Sequence, residues 1–106
     1  MAFVAWFELS AYLAEVQSKQ AMAAMSALAQ PTRLAAYKAL LAAGPDGMHS
    51  GELAERVGAS TASMSTHLAI LARAGLIDQE RLGRNVVCRA VPGSAEALAA
   101  FVGDLG

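Results

Sequence analysis

The chain of 106 residues suits one domain, 1–106, and leaves little room for a second. Hydrophobic residues make up 56% and charged ones 16%, against a common roughly 45–50% and about 25%, which excludes intrinsic disorder. Alanine supplies about a quarter of the chain and aromatics only 6%, which disfavours an all-β architecture and points to closely approaching helices. Eight Lys and Arg against nine Asp and Glu give a net charge of −1, so any nucleic-acid role has to rest on local charge. The single cysteine, Cys88, excludes an intrachain disulfide framework or a multi-cysteine metal centre within one chain and fits a reducing cytoplasm.

The opening run from Met1 to Phe7 is apolar but has no basic stretch before it, and Glu8 and Glu15 interrupt the apolar pattern beyond it. Neither a signal peptide nor a membrane span is expected, and the protein reads as cytoplasmic with no membrane partner. Phe3, Trp6, Phe7, Leu9, Leu13 and Val16 recur at helical spacing and predict a helix over 2–17. A second helical stretch, Lys19 to Ala29, carries Met22, Met25 and Leu28 on one face, with the two stretches either joined or split. Pro31 then opens a helix with Leu34, Tyr37, Leu40 and Leu41 as its buried stripe, ended by Gly44-Pro45-Asp46-Gly47.

Ser50 is the expected cap of a short helix over 51–57, and Gly58 closes it. Ser60 caps a further helix over 61–74, with Met64, Leu68 and Leu71 inward and Gly75 as its stop. Two short helices joined by Gly58-Ala59-Ser60 form a helix-turn-helix pattern. Beyond Gly75 the period changes to that of strands, 76–82 and 86–91 around a Gly83-Arg84-Asn85 turn, and a final helix over 95–105 comes after Ser94. The expected fold is mainly α with a β-hairpin wing, a winged helix-turn-helix.

That order has a chemical consequence. The second helix of such a pair fits the major groove of B-DNA and the hairpin reaches the flanking backbone or minor groove. Ser60, Thr61, Ser63, Ser65 and Thr66 supply small hydroxyls that let a helix approach closely and hydrogen-bond to phosphates or base edges, with His67 beside them. No acidic residue falls between Glu55 and Asp78. Over 56–89 five arginines stand against Asp78 and Glu80, a local balance of +3 in an acidic chain, and Arg84 at the hairpin tip is the candidate wing contact. Two histidines and one cysteine form no recognisable catalytic constellation, so no enzyme activity is expected. A winged-helix module that binds protein without reading DNA is the alternative.

The run Gly58-Ala59-Ser60-Thr61-Ala62-Ser63-Met64-Ser65-Thr66-His67-Leu68, together with Ala74-Gly75-Leu76-Ile77 and Gly83-Arg84, resembles the DNA-reading segment of the ArsR (ArsR/SmtB) family of bacterial repressors. Leu28-Ala29-Gln30-Pro31-Thr32-Arg33-Leu34 is similar to that family's helix-opening segment. The resemblance implies a homodimer that binds a two-fold double-stranded operator and releases it on meeting an inducer. It also implies a dimer interface made by the helices of 1–30 and 94–106, which suits the apolar Phe3, Trp6, Phe7, Leu98 and Phe101.

The family's usual inducer sites do not carry over. His49-Ser50-Gly51 stands where metal-sensing members hold a Cys-x-Cys pair, and the last helix offers only Glu96 and Asp104. No cofactor or metal is expected and the inducer stays open. Cys88 reads as a small hydrophobe of the second hairpin strand, where the family commonly has an inward tyrosine, and His49 reads as a loop or capping residue.

Overall fold

A computed structural model describes the backbone of residues 2–106 and the side chains of 5–106. The elements in chain order are α1 (Ala2–Leu28), α2 (Pro31–Ala43), a single 3-10 turn (Gly44–Asp46), β1 (Met48–His49), α3 (Ser50–Val57), α4 (Thr61–Arg73), β2 (Ile77–Leu82), β3 (Asn85–Ala90) and α5 (Ser94–Gly103).

The expected 2–17 and 19–29 helices are one uninterrupted helix, α1. Gln17-Ser18-Lys19 contains no glycine or proline to break it, and the Glu15–Lys19 ion pair at 3.7 Å spans the expected joint. Its buried side is Ala21, Ala24 and Ala27, whereas Met22 and Met25 face solvent. Thin alanines let α1 lie close to its neighbours, and methionines on that side would hold it away. From Ala5 to Glu15 every residue of α1 is exposed.

Pro31 begins α2, and the Gln30 Oε1 accepts from the Arg33 amide at 2.8 Å, capping it. The buried stripe is Ala36, Tyr37 and Leu40, so Leu34 and Leu41 lie outside it, contrary to the sequence expectation. A two-residue strand, β1, precedes α3 and pairs antiparallel with β3 through Met48–Cys88 and His49–Val87. That pairing keeps the chain extended through His49, so His49 takes the cap position and Ser50, the expected cap, is already helical. The sheet runs β1-β3-β2, and β3 meets β2 from Ile77–Ala90 to Leu82–Asn85.

Both helices of the helix-turn-helix end alike. Gly58 and Gly75 have φ of 72° and 78°. The next amides, Ala59 and Leu76, reach back to the Ala54 and Leu71 carbonyls at 2.9 and 3.1 Å, closing Schellman motifs. Ser60 caps α4 as expected, its Oγ accepting from the Ser63 amide at 3.1 Å. Leu40, Leu53, Met64, Leu68, Leu71, Leu76, Ile77 and Cys88 are fully buried in a core shared by α2, α3, α4 and the sheet. Ser94, expected just before the last helix, is instead the first residue of α5, and its hydroxyl turns inward to Tyr37.

Candidate nucleic-acid interface

The core fixes which side of α4 faces outward. Met64, Leu68 and Leu71 are buried. At about 100° per residue the opposite side is centred on Ala62, Thr66 and Ala69, with Ser63 and Ser65 flanking it. All five are exposed, as are Ser60 and Thr61 at the helix start. Thr61 lies on the flank nearer the core direction, reachable because it is in the first turn. Between the hydroxyl residues the outward stripe carries Ala62 and Ala69, whose small side chains leave the backbone of α4 accessible on that side.

Arg84 occupies the two-residue loop between β2 and β3 and is exposed at the wing tip. The other arginines divide. Arg56, at the end of α3, and Arg81, on β2, are exposed. Arg89 is committed internally, its Nε donating to the Pro45 carbonyl at 3.1 Å and its Nη1 to Glu80 Oε1 at 3.0 Å. Arg73 lies at the far end of α4, against a groove bordered by α1 and α5. The local balance of +3 therefore does not all bear on one surface.

His67 sits half-buried on the flank of α4, and its neighbour is Arg33, which the sequence placed in the helix-opening segment but not at the site. Arg33 Nη1 lies 3.3 Å from His67 Nδ1, and Arg33 Nε donates to the Ala27 carbonyl at 2.7 Å. One guanidinium thus spans the end of α1, the start of α2 and the side of α4. The pair is 34 residues apart in sequence, beyond the reach of any local pattern.

Cys88 is fully buried on β3, and burial pushes its thiol above the ordinary value of 9.0. The thiol is therefore neutral at physiological pH and poor as a nucleophile or metal ligand. His49, Asp46 and Glu52 are exposed. Among the described residues no three His, Cys, Asp or Glu side chains gather as a metal site would need.

A helix presenting a small-residue, carboxylate-free face, backed by a capped partner helix and flanked by a hairpin with an arginine at its tip, defines a winged helix-turn-helix DNA-binding domain. The sequence matches the helix-turn-helix domain family over residues 28–80, half of the chain. Among solved structures it is similar to an ArsR family transcriptional regulator at 27% identity, covering 83% of this chain and 88% of that one, with a TM-score of 0.72. It is similar also to reduced HlyU of Vibrio cholerae, at 30% identity over 83% of this chain and 87% of HlyU, with a TM-score of 0.66. The homodimeric winged helix-turn-helix domain of Mb0332 from Mycobacterium bovis shares the fold at 24% identity, 86% and 82% coverage and a TM-score of 0.69. No curated protein matches the chain. The chain belongs to the ArsR family of winged helix-turn-helix transcriptional regulators. Among the described residues no helix is long and apolar enough to cross a membrane.

Proposed function

We propose that the chain is a cytoplasmic repressor that binds a specific double-stranded operator as a homodimer, its two α4 helices entering successive major grooves about 34–36 Å apart. The exposed, carboxylate-free outer side of α4 carries this reading. Thr61, Ser63 and Thr66 meet base edges, Ser60, Ser65 and His67 lie nearer phosphates, and Arg84 contacts the flanking backbone or minor groove from the wing. Few cations face the duplex, so affinity falls moderately with salt.

The homodimer is supported by the uncovered half of α1, where Trp6, Phe7, Leu9, Tyr12 and Leu13 are exposed. An isolated helix of this kind is marginal in water. An open groove of about 820 Å³ beside it, lined by Gln17, Ala21, Leu76, Leu98 and Phe101 among others, continues the apolar surface onto α5. The helices of 1–30 and 94–106 are accordingly the dimer interface, and 1–106 is one domain. The Phe3 side chain, expected to contribute, lies outside the described residues. The structural relative Mb0332 is itself a homodimer.

Fluorescence anisotropy on the chain's own upstream DNA tests the reading. Binding that is tight on that duplex and much weaker on a scrambled one supports it. Equal affinity for both rejects sequence-specific reading and leaves a protein-interaction module. A monomer in light scattering at micromolar concentration rejects the paired half-sites.

A further inference from the structure

We propose that Arg33 is a positioning residue for the DNA-reading helix: it holds His67 as the neutral imidazole with its proton on Nε2, so that His67 meets the duplex as an uncharged donor to a phosphate oxygen. The proposal rests on α4 being the DNA-facing helix.

A guanidinium has five N–H donors and no acceptor. In the 3.3 Å contact between Arg33 Nη1 and His67 Nδ1, Nδ1 must therefore accept, and it can do so only when unprotonated. The ring proton is then on Nε2. The Arg33 guanidinium is anchored on its other side, because its Nε donates to the Ala27 carbonyl at 2.7 Å.

Among the described residues Nε2 makes no hydrogen bond and no unpartnered side-chain nitrogen is buried, so Nε2 reaches solvent. It does so from the flank of α4 rather than from the outward stripe of Ala62, Thr66 and Ala69. That position suits a strand of the backbone at the groove edge rather than a base on its floor. The outcome is one hydrogen bond that helps fix the helix in register and adds no charge.

Two sets of measurements test this. On the operator, His67→Ala weakens binding roughly three- to ten-fold, the worth of one net hydrogen bond. It weakens scrambled duplex by the same factor and leaves the slope of log K against log salt unchanged, because a neutral donor displaces no counterion. His67→Gln recovers most of the loss, since its amide can accept from Arg33 and donate outward, whereas His67→Lys does not. Arg33→Gln weakens binding in the native background but adds nothing to His67→Ala. Tight binding by His67→Lys, a salt slope that falls in His67→Ala, or additive losses in the double variant would each overturn the proposal.

In the free protein, long-range proton–nitrogen NMR reads both histidines at a pH where the rings are neutral, with the exposed His49 as internal reference. His67 shows a single Nε2–H tautomer that moves towards the His49 pattern in Arg33→Gln. Identical patterns for the two histidines in the native protein would overturn the positioning role, whatever the DNA results. A native His67 pattern as expected in a protein that binds no duplex would instead reject the repressor reading and confine Arg33 to holding the ring.

Discussion

Tyr37 Oη lies 2.6 Å from Ser94 Oγ and so ties the middle of α2 to the first residue of α5. Tyr37 is buried, and Ser94 Oγ also reaches the Leu76 carbonyl at 3.5 Å. The two ends are therefore unequal. Ser94→Ala leaves a buried phenol without its partner and should lower unfolding free energy by about 1–3 kcal/mol. Tyr37→Phe leaves a serine with a second acceptor and should cost about 0.5–1.5 kcal/mol. The double variant should be less destabilised than the sum, as measured by urea unfolding.

Gly47 has φ 68° and ψ −156°, a region that side-chain-bearing residues scarcely enter. A methyl group there would collide with the Cys88 carbonyl oxygen and stand 2.6 Å from Arg89 Cγ. Gly47→Ala should therefore destabilise by about 2 kcal/mol or more, lowering the thermal midpoint, because it combines backbone strain with a clash against β3.

The buried Cys88 thiol should react with an alkylating reagent only as fast as the protein opens, and denaturant should release it. Its folded pKa is raised, so burying the neutral thiol contributes stability that is complete below the ordinary value of 9.0 and is lost as pH rises through the folded value. Relative to Cys88→Ala, the native protein should lose stability above pH 9.0, at a slope approaching about 1.4 kcal/mol per pH unit. Parallel profiles for the two proteins would show that the thiol is not protected.

Arg84→Ala should weaken duplex binding on operator and scrambled DNA and reduce the slope of log K against log salt by about one for each wing. Arg89→Ala, which removes an arginine bonded to Glu80 and Pro45, should leave that slope unaltered. Anisotropy titrations at several salt concentrations check both.

The features legible in the sequence are those set by nearest neighbours along the chain. Gly58, Ser60 and Gly75 punctuate the two helices where their backbone chemistry demands, and Met64, Leu68 and Leu71 mark the inward side of α4 by spacing alone. The features that escaped were decided by distant partners. β1 is too short to carry a period and exists only because β3 offers it an edge. Spacing places Met22, Met25 and Leu28 on one face of α1 but does not say which face is buried, and close helix approach buries Ala21, Ala24 and Ala27. In α2 a preference for larger side chains put Leu34 inward where Ala36 sits. At the candidate site, the exposure of the hydroxyl residues follows from their spacing against Met64, Leu68 and Leu71, while Arg33 reaches His67 only through the folded arrangement of three helices.

The uncovered stretch of α1 from Trp6 to Leu13 has a consequence for dosage. If two chains must meet to cover it, occupancy of the operator depends on the square of subunit abundance while chains are scarce, so halving synthesis removes roughly three-quarters of the competent species. Expression level then acts as a threshold control on repression.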